Sequence, residues 1–225
     1  MPSVLIIGAS RGIGCELAQQ YAADGWRVHA TSRTGAPPST LSGTKADVVM
    51  HQLDVRDPSQ IAQLKKNLGA EPIDVLIVSA GTYDRVGGPF GAGPPIAPEE
   101  VFAINTDAPI NIAEAVFENL TLAELGKMVF VSSAEGIRAG GRAMGPYGQS
   151  KAALNDAIRN YANEWGYYGV IGIALHPGWV RTDMGGPRGP VAPEDSAAGI
   201  KTVIANLSPA HCGAFLDYRG SNLPW

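Results

Sequence analysis

Tyr147 and Lys151 lie four residues apart in Gly145-Pro146-Tyr147-Gly148-Gln149-Ser150-Lys151, a spacing that puts both side chains on one face of a helix, about a turn apart. Pro146 suits the first helical position, since its missing N–H would be unpaired there anyway and its φ is already helical. Tyr147 then falls in the first turn, where the helix dipole favours a phenolate over a phenol. The Lys151 ammonium pushes the same way. A free tyrosine titrates near pH ~10, and at about 1.36 kcal/mol per unit, neutrality is roughly 4 kcal/mol away. One cation at ~5 Å in an effective dielectric of ~20 supplies about 3 kcal/mol; the dipole, or a cationic cofactor, is left to supply the rest. A tyrosine tuned in this way exchanges a proton at neutral pH, as general acid–base catalysis requires. Tyr-x-x-x-Lys alone is a weak signal, because most chance pairs mark a solvated helix face. Here the stripe continues through Leu154, Ile158, Tyr161 and Trp165, which predicts a core-facing helix and asks why a lysine sits on it.

The elements that must position these groups alternate. Val4 to Ile7 is a continuous apolar run, the mark of a strand buried on both faces. Further strands are predicted at Arg27 to Thr31, Asp47 to Leu53, Ile73 to Val78, Lys127 to Ser132, Val170 to Leu175 and Ala214 to Leu216. Helices fall between them: one with Ile13, Leu17 and Tyr21 on a face, one opened by the Asp57 cap and Pro58, one starting at Pro98, the Tyr147 helix, and one opened by Pro193. Residues 82–98 are rich in Gly and Pro and read as a loop. The alternation predicts an α/β chain: one domain over residues 1–225, a doubly wound parallel sheet of about seven strands with helices on both faces. Such a sheet binds ligands beyond the carboxyl ends of its strands.

Gly8-x-x-x-Gly12-x-Gly14 joins the first strand to the first helix. Glycines there permit a sharp turn and let a pyrophosphate approach the free N–H groups of the helix. The spacing has one more residue between the first two glycines than G-x-G-x-x-G, and a plain βα turn competes with phosphate binding until the flanking strand and helix are counted. The second strand ends Thr31-Ser32-Arg33, without the acidic residue that would hold the ribose hydroxyls of NAD; Ser10, Arg11 and Arg33 can instead pair with a 2′-phosphate. The cofactor expected is NADP (NADPH) in preference to NAD, with Arg33 as a merely solvated loop arginine the competing reading. Asp54, after the third strand, either accepts from an adenine amino group or caps the next turn.

In order along the chain, Gly8, Gly12 and Gly14, then Ser79-Ala80-Gly81, Asn105, Ser133, Tyr147 with Lys151, and Pro177-Gly178 resemble the motifs of the short-chain dehydrogenase/reductase family, and the resemblance covers the whole length. Within the family the chain is similar to the small group that includes the C-factor and sniffer-type carbonyl reductases, through its short length, the run His176 to Met184 and the ending Leu223-Pro224-Trp225. Ser79 stands where the family has asparagine, which puts the bracing of the fourth strand in doubt. Ile7 replaces a common threonine, removing a side-chain bond in the turn. Ser133 fits Ser-x-x-Gly with Gly136, while Ser132 would point to the other face of the strand end. One extra residue between Ser133 and Tyr147 is left for a loop at Arg138 to Met144.

The resemblance implies a Rossmann-fold enzyme that transfers hydride reversibly between NADP(H) and a carbonyl or alcohol substrate, with carbonyl reduction as the expected direction. Tyr147 would be the general acid or base, Ser133 would hydrogen-bond the substrate oxygen, Lys151 would lower the Tyr147 pKa and hold the nicotinamide ribose, and Asn105 would complete the catalytic set. Pro109 lacks the N–H that the Asn105 carbonyl would bind, so that carbonyl either holds a relay water or marks a simple kink. Cofactor contacts are expected from Gly8, Ser10, Arg11, Gly12, Ile13, Gly14, Arg33, Asp54, Val55, Ser79, Ala80, Gly81, Tyr147, Lys151, Pro177, Gly178, the Val180 backbone and the Thr182 hydroxyl. The short Gly185 to Ala192 stretch predicts an open substrate site. Many family members pair through the helix that bears this tyrosine, so the resemblance implies a homodimer or homotetramer; Ala152, Ala153, Ala157 and Ala162 would allow close approach there, or sit against the sheet.

A net charge of −4 gives no basic footprint for nucleic acid and no polybasic membrane patch, and no apolar run approaches the ~20 residues of a membrane span. Met1-Pro2-Ser3-Val4 enters a strand directly, which predicts no secretion signal. Cys15 and Cys212 have no metal spacing and read as reduced thiols of a cytoplasmic protein; His29, His51, His176 and His211 are scattered and predict no metal site. A non-catalytic NAD(P) sensor or signalling protein on the same fold is the alternative, but it has no need of Ser133, Tyr147 and Lys151 together. A Rossmann-like methyltransferase would leave Tyr147 and Lys151 unexplained.

Overall fold

Strand β1 (Ser3–Ile7) is buried along its whole length, and its side chains alternate between two cores: Val4 and Ile6 face one, Leu5 and Ile7 the other. That is what a continuous apolar run does at the centre of a sheet covered on both sides. The computed structural model describes residues 1–41, 47–89, 91–139 and 144–225. The remaining strands are β2 (Arg27–Ser32), β3 (Val48–Gln52), β4 (Val75–Val78), β5 (Lys127–Val131), β6 (Ile171–His176) and β7 (Phe215–Asp217). All seven pair in parallel in the order β3-β2-β1-β4-β5-β6-β7. The order reverses between β1 and β4, the place where a doubly wound sheet opens a crevice.

Helices α1 (Gly12–Ala23) and α6 (Pro193–Ala205) cover one face, packing Leu17, Tyr21, Ile200 and Ile204 on it. The other face is covered by α2 (Pro58–Leu68), α4 (Ala108–Thr121) and α5 (Pro146–Tyr167), through Ile61, Leu64, Ile112, Val116, Leu154 and Ile158. The predicted stripe of α5 is the observed one: Leu154, Ile158 and Trp165 are buried, and Tyr161 packs beside them. Of the four alanines on α5, Ala152 is buried and Ala162 packs close to Gly213, which places those two inward.

Local chemistry sets the boundaries. Asp57 accepts from the N–H groups of Ser59 and Gln60 and starts α2 with Pro58 in its first turn, the cap the sequence predicts. Strand β4 begins two residues later than expected, because Ile73 N–H turns to the Asn119 carbonyl (2.9 Å) instead of the sheet. The helix predicted from Pro98 breaks into α3 (Pro98–Phe102), a π-helical turn (Ala103–Asp107) and α4. Pro109 cannot donate to the Asn105 carbonyl, and the wider turn absorbs the missing bond. Most of the predicted loop between Ser133 and Tyr147 lies outside the described residues.

Candidate active site

The glycine turn is built by close approach. Gly8 has φ +88°, and a Cβ there would lie 2.8 Å from the Ala80 backbone. A Cβ on Gly14 would come within 2.2 Å of the Gly8 carbonyl oxygen, so side chains at either position would force β1, α1 and the end of β4 apart. The bond lost with Ile7 is supplied by the neighbouring strand, for Gly8 N–H donates to Thr31 Oγ1 (2.9 Å) and Ala9 N–H to the Thr31 carbonyl (2.8 Å). The bracing left in doubt by Ser79 comes from the main chain, where Ser79 and Ala80 N–H both donate to the Ile7 carbonyl at 2.9 Å. No side chain caps α1, which leaves its first N–H groups to an anion. Ile13 and Val55 pack their side chains against the two cores and are partly buried.

The expected phosphate clamp is arranged differently. Ser10, Arg11 and Arg33 are exposed, but Arg11 reaches to Asp183 (3.0 Å), with both side chains more than 70% exposed (73% and 72%). Asp54 closes its own turn, accepting from Arg56 N–H (3.0 Å), Nε (3.1 Å) and Nη2 (2.8 Å). Hydrogen bonds from Arg56 hold the Asp54 carboxyl down at about 2, with Arg33 adding a smaller push. Arg56, which the sequence reading passed over, also binds Glu100 on α3 (2.8 Å).

Three elements bring the proposed catalytic residues together. Ser133 follows β5 and caps a short 3₁₀ turn (Ala134–Gly136), accepting from Glu135 N–H (3.1 Å). Ala134 N–H donates to His176 Nδ1 (3.2 Å), tying this turn to the end of β6. Ser132 turns to Asn155 (2.6 Å) in the interior, leaving Ser133 as the serine beside Tyr147. Asn105 is fully buried. Its Oδ1 accepts from Thr82 N–H (2.8 Å), while its Nδ2 donates to the Thr82 carbonyl (2.8 Å) and to Ser150 Oγ (3.0 Å). The side chain therefore braces the segment after β4 against the first turns of α5.

Lys151 is buried, its Nζ 6.0 Å from the Tyr147 ring centre and donating to the Val131 carbonyl (2.8 Å). The expected pull of Lys151 on the Tyr147 hydroxyl meets a larger opposing effect. Burial pushes Tyr147 well above its ordinary value; the Ser133 hydrogen bond lowers it, while Glu135 and Tyr83 raise it further. Burial also pulls Lys151 down to about 8. The ring keeps partial exposure, so solvent moderates the shift. One wall joins this cluster to the glycine turn: Ala80 touches the Gly8 position, and a Cβ on the next residue, Gly81, would lie 3.6 Å from Lys151 Nζ and 3.3 Å from Asn105 Oδ1.

After β6, Pro177 is anchored through its carbonyl by Ser196 Oγ (2.8 Å), Gly178 packs against Tyr218 and Val191, and Val180 bridges Val191. The Thr182 hydroxyl accepts from Gly185 N–H (3.1 Å) and holds a turn rather than standing free. The stretch from Gly185 is held to the segment before it, with Trp179 Nε1 donating to the Gly185 carbonyl (2.7 Å). From the other side the loop after β4 brings Gly88 against the Met184 backbone. Tyr83 in that loop and Glu135 beside Ser133 were not singled out from sequence. Their signal was available: an aromatic two residues after Gly81, and an acid inside Ser-x-x-Gly.

Residues 2–191 match the family model described as short chain dehydrogenase. The chain belongs to the short-chain dehydrogenase/reductase family. This short-chain dehydrogenase is 37% identical over 164 residues to the C-signal of Myxococcus xanthus, covering 71% of the chain and 96% of that protein. It superposes with a TM-score of 0.86 at 29% identity on the NADPH-bound carbonyl reductase from chicken fatty liver, over 100% of this chain and 99% of the other. For the carbonyl reductase Sniffer of D. melanogaster the TM-score is 0.87 at 25% identity, with both chains fully covered (100%). These likenesses place the short-chain dehydrogenase with the C-factor and sniffer-type group, and make it an oxidoreductase by family. No helix of the described residues is long and apolar enough to cross a membrane.

Proposed function

We propose that the protein is an NADP-dependent carbonyl reductase in which Tyr147 donates the proton. The observation that carries this reading is the shared wall of Ala80 and Gly81: it sets the Ser133, Tyr147 and Lys151 cluster directly beside the glycine turn. The turn fits a dinucleotide, since a Cβ would fill the cradle at Gly8 and Gly14 and the N-terminus of α1 has no side-chain cap. NADP is supported by the NADPH-bound relative and by Arg33 and Arg11; the exposed Arg11–Asp183 pair is worth little and can be exchanged for a phosphate.

When bound, the cofactor supplies the hydride. The chain handles the oxygen and the proton. Ser133, fixed by its cap and by the link from Ala134 to His176, donates to the substrate oxygen as charge grows on it. Tyr147, kept as a phenol by burial, holds the proton that a forming alkoxide needs. A phenol is the form for reduction, so the upward shift supports that direction; Lys151 then acts as a fixed cation, and its hold on the Val131 carbonyl orients it. Association through α5 into a homodimer or homotetramer and a cytoplasmic setting complete the proposal. Titration calorimetry with NADPH and NADH tests the cofactor: NADPH should bind at least tenfold tighter, and Arg33→Ala should erase most of the difference. Equal binding of both, unchanged in Arg33→Ala, would remove the NADP assignment.

A further inference from the structure

Besides Lys151, the titratable groups that act on Tyr147 are Tyr83 and Glu135. Tyr83 lies against the Tyr147 ring, with centres 4.5 Å apart and planes tilted by 33°. Its hydroxyl donates to Glu135 Oε2 (3.2 Å). Glu135 is held in place by its backbone, whose N–H donates to Ser133 Oγ (3.1 Å) and whose carbonyl abuts Gly148 on α5. Asp84, next to Tyr83, brings its carboxylate within 3.3 Å of where a Gly145 Cβ would be, at the start of the same helix. No cation among the described residues pairs with Glu135, and the nearest one along the chain, Arg138, is committed to Asp156 through both carboxylate oxygens (2.7 and 2.6 Å). Lys151 is buried and donates to the Val131 carbonyl instead.

We infer that Glu135, held by Tyr83, is a specificity-determining residue that selects carbonyl substrates bearing a cation and rejects those bearing a carboxylate. The inference rests on the reading of Tyr147 as proton donor to a carbonyl. A substrate whose carbonyl oxygen lies between Ser133 and Tyr147 must place its remaining atoms near these two, within reach of the Glu135 charge. At ~7–10 Å and an effective dielectric of ~20–40, a carboxylate on the substrate is repelled, and an ammonium attracted, by about tenfold each in affinity. The same charge opposes a phenolate at Tyr147, which keeps the acid form in place during reduction.

The test uses the whole protein with NADPH and three aldehydes: benzaldehyde, 4-carboxybenzaldehyde and 4-(trimethylammonio)benzaldehyde. The readout is the ratio of kcat/KM for the cationic to the anionic aldehyde. Comparing this ratio between wild type and Glu135→Gln cancels the intrinsic reactivities of the aldehydes. The two tenfold effects multiply in this ratio, so the expected result is a fall of about a hundredfold in Glu135→Gln, with the ratio kept in Tyr83→Phe, where the carboxylate remains. A ratio unchanged within twofold in Glu135→Gln overturns the charge selection while leaving the reductase reading standing. A ratio that falls equally in Tyr83→Phe overturns it too, by showing that packing of the pair, not charge, discriminates. No turnover of benzaldehyde or either derivative removes the reductase reading for this substrate class and this inference with it.

Discussion

Replacing Asn105 by alanine separates a structural brace from a purely catalytic group. The side chain has no solvent access and serves three partners: the N–H and the carbonyl of Thr82, and Ser150 Oγ. Ser150 keeps its own acceptor, the Tyr147 carbonyl at 2.7 Å, so the loss falls on the two Thr82 backbone groups. Leaving one buried polar group unpaired costs about 1–3 kcal/mol, and Thr82 is only partly buried, so a total of roughly 2–4 kcal/mol is expected. For a chain of this size that is a fall of about 5–15 °C in Tm. The Thr106 hydroxyl on the Ser150 carbonyl (2.9 Å) still ties the π turn to α5, so the variant should fold. Calorimetric melting with circular dichroism measures it, alongside kcat/KM with NADPH and an aldehyde, which should drop because the first turn of α5 loses its register. A variant whose Tm stays within a degree of wild type while activity collapses would refute the brace and leave only a relay role for this residue.

Three further outcomes follow from the same geometry. Gly14→Ala drives a Cβ to 2.2 Å from the Gly8 carbonyl and should cost about 1–3 kcal/mol in urea unfolding, with NADPH affinity down at least tenfold; near-normal binding would mean the turn does not cradle the dinucleotide. Gly166→Ala, inside α5 with its first neighbour 3.9 Å away, should stabilise by roughly 0.5–1 kcal/mol, and a loss of stability would contradict the open packing there. His51, pulled down to about 4 by burial and by His29 at 3.0 Å, binds its proton less readily folded than unfolded. Between pH 6.5 and 4 the unfolded chain therefore holds more protons, and stability falls as pH is lowered. The shift is worth at most about 3 kcal/mol, cut to roughly half by solvent screening. His51→Gln should flatten urea midpoints between pH 7 and 5, and an identical slope in both proteins would exclude His51 as the cause.

The sheet and its helices were legible because apolar runs and turn residues act locally. Val4 to Ile7 could only be a doubly covered strand, and Asp57-Pro58 could only start a helix where it does. Tyr147, Lys151, Ser133 and Asn105 were named in advance because their spacing relative to strand ends carries the family pattern. What the sequence hid depends on contacts across elements. Thr31 replaces the bond lost with Ile7 from a different strand, and Arg56 takes up Asp54. The upward shift of Tyr147 is hidden for the same reason. Spacing displays one cation and a dipole, whereas the cost of enclosing the ring beside Tyr83 and Glu135 is set by packing that no linear spacing displays. Ile73 left its strand for a comparable reason, drawn off by the Asn119 carbonyl at the far end of α4.

The most direct test is NADPH consumption with benzaldehyde by the wild-type protein and by Tyr147→Phe, with alcohol formation followed in parallel. The account predicts one alcohol formed per NADPH consumed, and a loss of about 10²–10⁴ in kcat for Tyr147→Phe with NADPH binding unaltered. Equal turnover by Tyr147→Phe, or NADPH consumed without alcohol, would contradict it.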